Sequence, residues 1–233
     1  MLVALAALFV AGWAAHQLRC SPRVWLLAFL FACSASVLLI RPMIVPTRRG
    51  SAVYSLGPSF FLASMFLLPT GPLVAVVSFS VALAGVYLGA RFHRILFDLS
   101  VGVLIYGGTS LLLHLAPRPT DAQMPSLTVA AVEALLAGVV MIAQLLLRSV
   151  AMRLARGVET PHWGAFRSQA VIEGLYCVVL AVTISLLTRL HPALLTLVYA
   201  EVGTTMWFVS RYRRRLRDLN DSATARDPRR WAA

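Results

Sequence analysis

The sequence predicts an all-α fold, a polytopic membrane helix bundle of about eight spans with both termini cytoplasmic. Three observations carry that prediction. First, 59% of the 233 residues are hydrophobic and 13% are charged, with a mean hydropathy of +0.79, more apolar surface than a water-soluble domain can bury. Second, apolar runs recur at lengths near the ~20 residues that cross a bilayer. Third, every one of the 21 basic residues is arginine, and they divide unevenly between alternate connections. With the C-terminus inside, only Arg19, Arg23, Arg118 and Arg189 fall outside, and the other seventeen are cytoplasmic. That bias orients the bundle.

The apolar segments run, in order, over 2–17, 24–40, 54–68, 71–90, 96–116, 126–148, 168–188 and 191–210. The first lacks the basic start of a secretory signal and reads as a spanning or anchoring helix. The third, "GPSFFLASMFLLPTGP", is either a short helix or half of a re-entrant hairpin, because Pro69-Thr70-Gly71-Pro72 breaks the chain. Both versions leave the later topology unchanged. The longest interior connection, about 149–167, is expected on the inner surface, with Trp163 and Phe166 at headgroup level. No segment shows useful strand alternation. Residues 1–210 thus form the transmembrane domain, and 211–233 a basic cytoplasmic stub, helical at first and disordered at its Asp/Ser/Ala/Pro-rich end.

Motifs of soluble chemistry are missing. No phosphate-binding loop, dinucleotide fingerprint, zinc-protease helix or nucleophile elbow occurs. Cys20, Cys33 and Cys177 form no CxxC pair and read as small hydrophobes. No cofactor or metal site is expected, and no enzymatic activity.

Acidic residues inside spans are costly and point to function. Glu201 lies roughly ten residues from either end of the last segment, ~15 Å at the helical rise. Glu173 lies about two turns from the inner face and Glu133 about two turns from the outer face. These three are the candidate ligand or ion-binding carboxylates; as interhelical hydrogen-bonding groups they would instead hold the bundle together. Asp98 is expected to pair with Arg94 at i, i+4. His16, His114 and His191 all fall at outer span ends, where imidazoles can sense pH or metal. Gly85 and Gly89 have the GxxxG spacing of close helix contact, and Gly107 and Gly108 extend the small-residue surface in the next span.

The tail "RYRRRLRDLNDSATARDPRRWAA" carries Arg211, Arg213, Arg214, Arg215 and Arg217. In a soluble protein that charge would suggest nucleic acid. Beside a last span it marks the inner face and holds anionic headgroups, at about 1 kcal/mol per charge near the surface. The expected partners are anionic lipid, a second copy of the chain and a cytoplasmic signalling protein, not nucleic acid.

Three stretches, "GSAVYSLGPSFFLASMFLLPTGPLVAVVSFSVALAGVYL", "RFHRILFDLSVGVLIYGGTSLLLHL" and "HPALLTLVYAEVGTTMWFVSRYRRRLRDL", occur in that order over about residues 50–220. Their pattern resembles the N-terminal membrane regions of bacterial HD-GYP phosphodiesterases and GGDEF diguanylate cyclases. Shared features are a Gly-Pro hairpin turn, a basic inner loop, a Phe97-Asp98 span start, and a His-Pro span running into an Arg-rich helix. That family's basic helix leads to a catalytic domain, and no HD pair or GGDEF loop occurs here. The resemblance implies a bacterial inner-membrane sensory or regulatory module, standing alone and signalling through its C-terminal helix. The alternative is a small-solute transporter or substrate-binding subunit using Glu201, Glu173 and Glu133 for a cationic substrate. An intramembrane enzyme ranks third, since no nucleophile–base or metal-ligand spacing emerges.

Overall fold

The computed structural model describes residues 2–16, 18–47, 50–115, 127–156 and 163–225. Each of the eight apolar segments is helical: α1 Leu2–His16, α2 Pro22–Ile40, α3 Gly57–Leu67, α4 Thr70–Tyr87, then α5 Phe92–Gly102 and α6 Gly108–Leu115 in line, α7 Leu127–Arg156, α8 Trp163–Leu190 and α9 Leu195–Ala225. Among the described residues five stretches are long and apolar enough to cross a membrane: α2, α4, the α5–α6 rod, and parts of α7 and α8.

The boundaries follow from local chemistry. Pro22 opens α2 at a position whose N–H has no acceptor anyway. Pro69 forces Leu68 into the extended region (φ −108°, ψ 149°), so α3 ends and α4 starts two residues later. Gly89, at φ +63°, closes α4 as its left-handed cap. The Ala90 N–H reaches back to the Gly85 carbonyl at 2.9 Å and the Gly89 N–H to that of Val86 at 3.1 Å, the paired bonds of a Schellman end.

Three features depart from expectation. Residues Met43–Thr47 (β1) and Gly50–Tyr54 (β2) pair as an antiparallel hairpin, Met43 opposite Tyr54 and Thr47 opposite Gly50. Too short to show alternation, and with Pro46 in β1, this stretch gave no strand signal. The connection expected over 149–167 is largely helix, since α7 runs to Arg156 and α8 starts at Trp163. What joins them, the side chains of Trp163 and Phe166, and the tail beyond 225 lie outside the described residues. Finally, α5 and α6 are joined by a π turn, Val103–Gly107, that keeps one continuous rod.

α3 sits at the centre, against α2, α4 and α8. Nine of its eleven residues, Gly57 to Met65, are buried. α2 packs on α4, α4 on α5 and α7 on α8, while α1 lies across α4, α5 and the π turn. Phe31 meets Phe60 edge-on at 6.0 Å, and Phe61 meets Tyr106 at 5.3 Å. Hydroxyls join the helices as well. Ser36 and Ser80 both donate to the Ala32 carbonyl, at 2.6 and 3.0 Å, tying α4 to α2. Thr70 and Ser110 share a buried hydrogen bond of 3.1 Å. In an apolar solvent such bonds and close packing, not water exclusion, hold helices together.

Candidate functional site

The π turn is the irregular point of the bundle, and a cleft opens beside it. Its volume is about 770 Å³, within the range of about 300–1,000 Å³ common to small-molecule sites. α5 supplies one wall, α4 and its glycine cap another, with Leu39 of α2, Pro58 and Phe61 of α3, and Gln144 of α7 completing it. Exposure falls along its depth. Arg91, His93 and Arg94 are exposed at the mouth, Asp98 is half-buried, and Phe61, Val101, Tyr106 and Gln144 are buried at the floor.

Each polar group is held differently. Arg94 Nε lies 3.9 Å from Asp98 Oδ2, one helical turn on, as the i, i+4 spacing requires. Tyr106 lies in the π turn, and its hydroxyl donates to Gln144 Oε1 at 2.6 Å. That bond joins the π turn to α7 at the cleft floor. Close approach of α4 and α5 shapes the walls. A Cβ at Gly85 would lie 2.7 Å from Ile95 Cγ1, and one at Gly102 would lie 2.8 Å from Val77 Cγ1.

The three candidate ligand carboxylates, Glu133, Glu173 and Glu201, occupy separate environments, and none of the three lines the cleft. Glu133, 4% exposed, is paired with Arg189 of α8. Ser185 of α8 is buried beside the same carboxylate. Arg189, assigned by sequence to an outer connection, thus belongs to the helix and neutralises a buried charge. Glu173 Oε1 accepts the Ser55 N–H at 2.8 Å, fastening the residue after β2 to α8, where the Cys177 thiol also donates to the Ser55 carbonyl at 3.6 Å. Glu201 is exposed on α9, within electrostatic reach of Tyr176 on α8.

His16 and His191 are exposed at helix ends, and Nδ1 of His191 accepts the Ala193 N–H at 3.2 Å. His114 lies in α6, with its side chain outside the described residues. No group of three His, Cys, Asp or Glu suited to a metal occurs among the described residues. Of the four glycines, Gly85 packs on Ile95 and Gly107 fits between Val10 and Val74, each within 2.9 Å of a would-be Cβ. Gly89 and Gly108 have open space instead, and Gly89 serves as the helix cap. Arg211 stacks over Trp207 at 5.1 Å, and Arg214 and Arg215 are exposed. The side chains of Arg213 and Arg217 lie outside the described residues.

Sequence reasoning searched the spans for acids and so passed over Tyr106 and Gln144. The available signal was a glutamine in an otherwise apolar segment, which needs a partner when buried. The chain matches no protein-family model, no curated protein and no solved structure. The functional reading therefore rests on geometry.

Proposed function

We propose that this protein is a sensory or regulatory module of a bacterial inner membrane, with eight apolar segments embedded and both termini cytoplasmic. It senses through the cleft beside the π turn and signals through α9. One observation carries the reading. α3 bears Phe61 against Tyr106 at the cleft floor, and the adjacent residue on another face of the same short helix contacts α9, because Phe60 stacks on Tyr199 at 6.1 Å. Tyr199 also accepts the Ser34 hydroxyl at 2.9 Å. α9 then runs without a break through Arg211–Asp218 to Ala225, so a shift at its root reaches the basic stub as a rigid displacement. The stub is the surface offered to a cytoplasmic signalling partner or to anionic headgroups, and a second copy of the chain fits the open face of α9. A packed chain between two sites supports coupling only if one element has two arrangements, and the π turn is the candidate for it.

The test uses spin labels at Ala143 on α7 and Ser210 on α9, both exposed, in a cysteine-free background in nanodiscs. Tyr106→Phe and Phe61→Ala should each shift the label-to-label distance distribution. A distribution indifferent to both, in protein that remains folded, sinks the reading.

The cleft's volume also favours small-solute transport. Proteoliposomes that accumulate a solute, with uptake lost in Tyr106→Phe, would select that alternative. Since Glu201, Glu173 and Glu133 lie away from the cleft, Glu201→Gln should leave such uptake unchanged.

A further inference from the structure

We propose that the cleft binds an anionic amphiphile, a phosphate head on an acyl chain, and that its source is an anionic phospholipid of the adjoining leaflet. The role given to this ligand rests on the sensory reading above; its chemistry rests on the cleft. Arg91, His93 and Arg94 stand together at the mouth, opposed by Asp98 alone. Arg94 is within ion-pair distance of that carboxylate, whereas Arg91 has no carboxylate partner among the described residues. The mouth thus has a surplus positive charge. Arg91 also caps α5 in extended conformation (φ −62°, ψ 142°), so the N–H groups of Phe92 and His93 have no acceptor within the helix. A guanidinium beside free N–H groups at a helix start is suited to phosphate oxygens.

Phosphate alone leaves the rest of the cleft unexplained. Below the mouth the walls are Leu39, Phe61, Val81, Ala84, Ile95 and Val101, a surface matched to hydrocarbon. At the floor the hydrogen-bonded Tyr106–Gln144 pair is the polar feature, at the depth of the ester groups between head and chain. The polarity gradient also fits a membrane. Charged groups sit where α4 and α5 turn back, and apolar groups lie towards the middle of the rod. A lipid entering from its own leaflet would keep its head at the surface and its chain at depth.

The experiment is native mass spectrometry of the full chain released from nanodiscs containing equal phosphatidylglycerol and phosphatidylcholine. The expected result is one phosphatidylglycerol retained per chain, with retention at least tenfold lower in Arg91→Ala/Arg94→Ala. Arg214→Ala/Arg215→Ala on the exposed stub should retain it within twofold of wild type. Ala84→Phe, which fills the apolar wall and leaves the arginines in place, should also reduce retention. It keeps the test decisive if the double variant misfolds. Millimolar inorganic phosphate should not displace the lipid; displacement would assign the mouth to free phosphate and overturn the lipid source. Equal retention of the two lipids, or wild-type retention in both cleft variants, overturns the site. Retention without any response of the α9 distances to the lipid upholds the site and removes the sensory reading instead.

Discussion

α3 has 11 residues and α9 has 31, and burial runs the other way. α3 rises only ~16 Å, about half the hydrocarbon thickness, yet it is enclosed by neighbouring helices on every side. α9 touches the core by a narrow stripe, Leu195, Val198 and Val202, with Tyr199 and Met206 beside it. Leu197, Glu201, Trp207 and Phe208 of the same helix point outward. Hydrophobicity alone does not account for this difference. In a bilayer an apolar face is stable against lipid or against protein, so only the fit of small residues and hydroxyls decides which helix is enclosed. α3 is enclosed because Gly57 allows Leu39 and the Ala35 carbonyl within 3.3 Å of where a Cβ would stand.

The contrast can be broken by substitution, beginning where the largest effect is expected. Arg189→Ala should be the most damaging, because it strands the Glu133 carboxylate in the bundle. A loss of about 3 kcal/mol is expected, read as a lowered midpoint in denaturing-detergent titration, and Glu133→Gln in the same background should restore much of it. Phe60→Ala should cost nearly as much, about 3 kcal/mol, since the ring leaves a void between α2, α3 and α9. An unchanged midpoint would mean that α3 is not the centre of the core. Tyr199→Phe removes one interhelical acceptor and should cost about 0.6 kcal/mol; its larger effect should be on the α9 label distances. Glu201→Gln should be nearly silent, within about 0.5 kcal/mol of wild type. If it instead destabilises strongly in nanodiscs but not in detergent micelles, the exposed face of α9 is covered in the bilayer and the contrast with α3 narrows.

The helices were legible because mean apolarity and proline positions survive in a linear reading. Pro69 marked the α3–α4 corner, and Arg94 and Asp98 announced their own pairing. Partners far apart in the chain were not legible. Nothing local to Glu133 indicates that a residue 56 positions later reaches it, or that Ser55 will donate to Glu173. Gly89 looked like a packing glycine because spacing alone does not distinguish a close approach from a left-handed cap. The cleft was hidden for a related reason. Its mouth was visible as a basic loop, but its floor depends on a π turn, which has no sequence signature, and on a Tyr–Gln bond between separate helices.

The π turn has one further consequence. It holds one residue more than an α-helix of the same rise needs, and a single residue corresponds to about 100° of rotation. Val101 and Tyr106 therefore face the cleft while Ser110 faces Thr70 of α4, a combination an uninterrupted helix would place out of phase. That surplus residue is a dislocation in an otherwise regular lattice. Moved one turn along the rod, it would exchange the side chains presented to the cleft while both ends of the helix stayed where they are.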